Sequence, residues 1–388
     1  MRIFTTLLPA LLAAAGFISP LKAKDTGRVI VAYVTSWSDV TPDPHSMTHI
    51  NYAFGHVNNT FDGVRIDNPD RLRAISGLKQ QNPKLKVLLS VGGWGSGRFS
   101  EMAATDSTRR AFAADCRAKV KEYGLDGIDI DWEYPTSDAA GISSSPDDTR
   151  NYTLLMRELR RALGKKRLLT LASVSHAEYI DFKAVEPYVD FVNVMAYDIA
   201  VPPRHHAALY PSGMTSGMCG DEAVNRHIKA GIPARKLVLG MPFYGRGGKD
   251  PGGFCDYSKL VTLKEYTPQW DDEAKAPYLV NGDGRMVYTY ETPRSIACKC
   301  EYIKQHGLLG AMYWEYGSDD SAGTLRKAVN NIRRISLPSR RRTAGKAMPH
   351  ATRRTTRSPP TRPFAPCGKA HKATQNRGGK TAFSGAEK

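Results

Sequence analysis

Eight short runs rich in Val, Ile and Leu, separated by helical patterns, constrain the fold of this chain more than any other feature. They occupy residues 28–34, 49–54, 85–91, 128–132, 168–174, 191–197, 237–244 and 308–313. Strands set between helical patterns are covered on both faces. One intervening helix carries Phe112, Cys116, Val120 and Tyr123, with Asp106 or Ser107 as its expected N-cap and Gly124 as its stop. A second carries Tyr152, Leu155, Met156, Leu159 and Leu163, ended by Gly164; a shorter one carries Val224 and Ile228, ended by Gly231; the last holds Leu325, Val329 and Ile332. The count and the rhythm predict a parallel (β/α)8 barrel, a TIM barrel, with functional residues just beyond the C-terminal ends of the strands. One interval breaks the rhythm, at about 247–293, before a helix at 295–306. Two β-runs there, 277–280 and 285–290, flank the turn Asn281-Gly282-Asp283-Gly284 and predict an inserted β-hairpin.

The fourth run is unlike the others. Residues 125–135 read Leu-Asp-Gly-Ile-Asp-Ile-Asp-Trp-Glu-Tyr-Pro. Alternation along a strand sends Asp129, Asp131 and Glu133 to one face and Ile128, Ile130 and Trp132 to the other. Carboxylates crowded on a covered face repel, which raises the pKa of at least one and supplies a protonated group near neutrality. Asp126 has the opposite parity and is expected to serve the entry of the strand.

The termini differ from the middle. Arg2, an apolar run over 3–18 and Ala23 before Lys24-Asp25 match a secretory signal peptide, 1–23. Export implies a secreted or periplasmic protein in an oxidising compartment, so Cys116, Cys219, Cys255, Cys298, Cys300 and Cys367 are candidates for disulfides. The net charge is +17, but from Arg333 onward there are 15 Lys/Arg and one Glu, so the body is nearly neutral. The basic stretch 336–388, rich in Arg, Pro, Ser and Thr, is expected to be a disordered tail with no specific nucleic-acid partner, which leaves 24–335 as the folded domain. No cysteine or histidine spacing suggests a metal, and His205-His206 is expected in an exposed loop.

The strand ends collect Tyr33, Trp37, Phe54, Ser90, Trp94, Asp129, Asp131, Glu133, Met195, Tyr197, Asp198, Tyr244, Arg246 and Trp314. Aromatic faces with carboxylates suit an uncharged sugar polymer, whose C–H faces pack on rings while hydroxyls seek polar partners. A phosphorylated substrate would call for more Arg and Lys. At this point residues 126–135 resemble the Asp-x-x-Asp-x-Asp-x-Glu signature of the family 18 glycoside hydrolases, in the form typical of chitinases. Ser90-x-Gly92-Gly93-Trp94, Met195-Ala-Tyr197-Asp198, Met241-Pro-Phe-Tyr244-Gly-Arg246, Trp314, Tyr33-x-x-x-Trp37 and Tyr52-Ala-Phe54 extend the resemblance over about 28–332.

The resemblance implies a catalytic set of Glu133, Asp131, Asp129 and Tyr197. Glu133 would protonate the glycosidic oxygen while the substrate's own N-acetyl carbonyl attacks the anomeric carbon, so no enzyme nucleophile is required. Asp131 would hold the N-acetyl N–H, Asp129 would share a proton with it, and Tyr197 would bind the N-acetyl group. Trp314 would form the floor, with Asp198, Tyr244 and Arg246 positioning hydroxyls and Trp37 and Trp94 stacking on either side of the cut. Tyr33, Phe54, Ser90, Gly93 and Met195 complete the expected substrate-binding set. The implied substrate is chitin or an N-acetylglucosamine oligosaccharide, acted on by a monomer without cofactor, metal or membrane attachment. Alternatives are an endo-β-N-acetylglucosaminidase acting on N-glycans, a non-catalytic chitin-binding lectin, and a polyanion binder acting through the tail. The inserted region is shorter than the subdomain of deep-cleft chitinases, which implies a shallower groove.

Overall fold

In a computed structural model, which describes residues 27–249 and 251–333, all eight apolar runs are mutually parallel strands of one sheet, whose ninth strand, Val64–Ile66, pairs antiparallel with the second. They are β1 (Val29–Thr35), β2 (His49–Val57), β3 (Lys86–Gly92), β4 (Gly127–Asp131), β5 (Leu168–Val174), β6 (Phe191–Met195), β7 (Leu237–Pro242) and β8 (Gly310–Trp314). Each pairs with its successor, and β8 returns to β1 with Met312 opposite Val31, so the sheet closes into the expected barrel. Alternation divides the strand residues into two layers. Ile30, Ile50, Leu89, Ile128, Ile130, Leu171, Val194 and Leu239 join the helices in the main core. The interior holds Val31, Phe191, Val238 and Met312 together with buried Asn51, Ser90, Asp129, Thr170 and Asn193.

The helices follow the expected faces with two exceptions. Helix Asp106–Glu122 is capped one residue earlier than expected, because the Thr105 side chain accepts from the Thr108 amide while Asp106 pairs with Arg109 inside the first turn. Helix Gly220–Ala230 buries Val224 and His227 and leaves Ile228 exposed, so its inner stripe runs through the histidine. That ring is satisfied where it lies, 2.8 Å from Ser173 Oγ and 2.7 Å from the Ala223 carbonyl. The alternation is also incomplete. No helix lies between β1 and β2, and only the single turn Phe182–Val185 lies between β5 and β6.

The expected hairpin is part of a larger element. Ala276–Val280 and Met286–Thr289 pair around the Asn281 turn, but they are two strands of a five-stranded antiparallel sheet ordered Phe254–Asp256, Tyr244–Gly247, Met286–Thr289, Ala276–Val280, Thr267–Asp271. Tyr244, read as the end of the seventh run, starts a strand of this second sheet. The other strands escaped notice because they are short and, unlike the pair around Asn281, do not meet at an Asn-Gly turn that marks a hairpin.

Cys116, Cys219, Cys255, Cys298 and Cys300 are free thiols, so the expected disulfides do not form among them. Cys367, the signal sequence and the basic tail lie outside the described residues. Among the described residues no helix is long and apolar enough to cross a membrane.

Candidate active site

The acidic strand places its carboxyls at three depths. Asp129 is fully buried and accepts four hydrogen bonds from four different strands. Thr170 Oγ1 and Asn193 Nδ2 reach one oxygen at 2.5 and 3.2 Å, and Tyr33 OH and Ser90 Oγ reach the other at 2.9 and 2.8 Å. Burial raises its pKa, and these donors oppose the rise without cancelling it. Asp131 is buried too, with Oδ1 left without a partner, and its pKa is driven well above the carboxylate range by burial and then by the charges of Glu133 and Asp129. Glu133, partly buried just beyond the end of β4, is pushed up to about 7 by burial, against a hydrogen bond from Tyr134 and with a further push from Asp198. A carboxyl with such a pKa is equipped both to give and to take a proton at neutral pH. Asp126 lies at the entry of the strand, where it accepts from the Val87 amide at 3.0 Å and from Lys79 at 3.1 Å.

Two glycines at the end of β3 let the chain pass close to its neighbours. A Cβ on Gly92, at φ +131°, would lie 1.9 Å from the Asp131 carbonyl oxygen, and one on Gly93, at φ +94°, would lie 2.6 Å from the Phe54 ring. The Gly93 amide donates to the Asp131 carbonyl at 2.8 Å.

Aromatic rings line the mouth. Phe54 stacks on Trp314 at 5.6 Å and Tyr33 lies 5.5 Å from it, while Trp37, 66% exposed, stands 6.4 Å from Phe54. Trp94, 64% exposed, meets Tyr134 at 6.3 Å, and Tyr134 stacks on Tyr179 at 5.2 Å. Beyond β6, Asp198 is held by Arg246 through two hydrogen bonds of 2.7 Å, which keeps its pKa well below the carboxylate range. Tyr244 lies 6.2 Å from Tyr197, whose hydroxyl donates to Met312 Sδ at 3.8 Å.

The model of the glycosyl hydrolases of family 18 matches residues 29–319, across all eight strands and every carboxyl described above. The chain belongs to that family. It is 32% identical to Chitinase A1 of Niallia circulans, over 80% of this chain and 58% of that protein, so it spans less than two thirds of that relative's length. It is also 32% identical to mouse (Mus musculus) Chitotriosidase-1, over 81% of this chain and 78% of the relative. In structure it resembles a family 18 N-acetylglucosaminidase from Paenibacillus barengoltzii, with a TM-score of 0.72, 36% identity and coverage of 79% and 99% of the two chains.

In this member of the family, most residues expected at the mouth are found there. Tyr33, Phe54, Trp37 and Trp314 form one connected group, and Tyr197, Asp198, Tyr244 and Arg246 form another. Met195 is partly buried against the interior cluster. Tyr33 and Ser90, expected to touch substrate, are buried donors to Asp129. Thr170 and Asn193 complete that set, and their signal was available, since each is a polar residue at an inward position of an apolar strand. Tyr134, Tyr179 and Phe254 gave no such signal. Phe254, 48% exposed, stacks on Tyr244 at 4.1 Å with the Arg246 guanidinium 5.9 Å from its ring.

His205 and His206 are not in an exposed loop. Both are buried, because the inserted sheet covers them. His205 Nε2 lies 3.1 Å from Asp271 Oδ2 on one strand of that sheet, and its Nδ1 lies 3.4 Å from Thr289 Oγ1 on another. Among the described residues, no group of three His, Cys, Asp or Glu is placed to hold a metal ion.

Proposed function

We propose that this chain is a secreted chitinase, cleaving β-1,4 linkages between N-acetylglucosamine units with retention and with the substrate's acetamide as nucleophile. The observation that carries the reading is the ladder of three carboxyls ending in Glu133, a partly buried acid with a pKa of about 7 at the mouth of an aromatic-lined barrel. Glu133 gives its proton to the glycosidic oxygen and takes one from water in the second half of the reaction. The unpartnered Oδ1 of Asp131 is available to receive the acetamide N–H, which orients the carbonyl towards the anomeric carbon and stabilises the charged ring that follows. Asp129, fixed by four donors below it, adds its charge to the push that keeps a proton on Asp131. Tyr197 binds the acetamide, Trp314 carries the reacting sugar, Asp198 and Arg246 hold hydroxyls, and Trp37 and Trp94 stack on sugars at the two ends of the groove. Residues 24–335 form the catalytic domain, between an export signal at 1–23 and a basic tail at 336–388.

The likeness to an N-acetylglucosaminidase favours a second reading, in which single terminal sugars are removed. The first products from an N-acetylglucosamine hexamer separate the two, since dimer with tetramer or paired trimers indicate internal cleavage and monomer with pentamer indicates removal of a single terminal sugar. Glu133→Gln is expected to preserve the fold and to lower kcat by about 10²- to 10⁴-fold. Near-normal turnover by that variant removes the assignment of Glu133.

A further inference from the structure

Two side chains close on Asp198 from different sides. Arg246 takes the carboxylate through Nε on Oδ1 and Nη2 on Oδ2, both at 2.7 Å. His206 approaches from the buried side, its Nδ1 3.4 Å from the same Oδ1. These three contacts put two donors on Oδ1 and one on Oδ2, and with the Tyr244 hydroxyl also on the carboxylate the four lone-pair sites of the two oxygens still leave room beside Oδ2 for a ligand hydroxyl to share. An ionised carboxylate only accepts, so the His206 nitrogen beside it must carry the proton, and the neutral ring is fixed as the Nδ1–H tautomer. Nε2 is then a bare acceptor, and it is buried without a partner in a ring that has no exposed surface. An orphaned buried acceptor works against folding. What the other nitrogen does explains a histidine here.

The ring is well seated for such a task. It lies 5.4 Å from the Tyr244 ring, and its backbone is tied to the inserted sheet through the Thr289 hydroxyl at 3.3 Å and to the β6 exit through Ile199, whose amide donates to the His206 carbonyl at 3.2 Å. Asp198, Glu291 and Arg246 are the charged groups that bear on it, and burial keeps it neutral.

We propose that His206 is a positioning residue for sugar binding, its Nδ1–H fixing the Asp198 carboxylate against Arg246 so that Oδ2 is presented to a hydroxyl of the substrate. The inference rests on the chitin reading only in naming N-acetylglucosamine as the sugar that owns the hydroxyl. Asparagine sets its amide nitrogen where the histidine Nδ1 stands and places nothing at Nε2, whereas glutamine reaches the Nε2 position instead. His206→Leu and His206→Gln are expected to lower kcat/KM on a chito-oligomer about ten- to a hundredfold, chiefly through KM, and His206→Asn to restore it to within a few-fold of the parent chain. Loss in all three variants, or in none, overturns the proposal, because activity would then follow core packing and not donor position. A carboxyl NMR titration of Asp198 on the same full-length variants reads the contact without any substrate. The Asp198 pKa should rise in the Leu and Gln variants and return in the Asn variant, and an unchanged value in the Leu variant overturns the proposal. A parent chain inactive on chito-oligomers removes the chitin reading alone, and the titration still decides the role of His206.

Discussion

Glu133 and Asp131 share one side of one strand, yet the gradient of burial along it separates them. Asp131 is shut in and pressed by two neighbouring charges, while Glu133 is poised at about 7. In the proposed mechanism Glu133 must be protonated to act, so kcat/KM is expected to fall as pH rises through about 7 and to be flat below it until another group titrates. The same shift bears on stability. The folded chain holds the Glu133 proton more tightly than the unfolded chain, so this group favours folding below the ordinary glutamate pKa of 4.5 and loses that contribution as pH rises through about 7. Glu133→Gln should therefore gain more Tm relative to the parent chain at pH 8 than at pH 4, and melting curves at the two pH values check it. Asp131 shifts in the same direction, which adds to the trend in the parent chain.

The barrel was legible because most of its strands are short runs rich in Val, Ile and Leu set between helical patterns, and because three carboxyls at one parity of the fourth are hard to place anywhere but inside a site. The five-stranded sheet was hidden. Its strands carry Pro268, Gly245 and charged residues, and only the pair around Asn281 has a turn strong enough to read locally. Because that sheet was unseen, the burial of His205 and His206 was unforeseen too. A related contact pins helix Pro293–Gln305: buried Lys299 pairs with buried Glu291 and donates to the Ala207 carbonyl at 2.7 Å. Lys299→Met leaves the Glu291 charge uncompensated and should cost about 3–5 kcal/mol in chemical denaturation. The double variant with Glu291→Leu should recover much of that loss, and no recovery would show that packing and not charge is at stake.

At the scale of the molecule, the charge of +17 belongs almost wholly to the tail, so the domain that holds the site is nearly neutral and has no large net field to steer a charged partner. Removing the residues beyond Pro338 should leave hydrolysis of soluble oligomers unchanged and abolish salt-sensitive retention on an anionic resin, which column elution measures. The closed barrel has a further consequence for behaviour at high concentration. Its eight parallel strands close on themselves and leave only the three-residue strand Val64–Ile66 paired on one side, whereas the inserted sheet is open at Phe254–Asp256 and at Thr267–Asp271. Proline is accepted in a strand where its missing N–H would point away from the partner, so Pro268 blunts the open side. Pro268→Val should turn that side into a template for strand addition, seen as concentration-dependent association in sedimentation. Pro268 would thereby guard one of the two open edges of the inserted sheet.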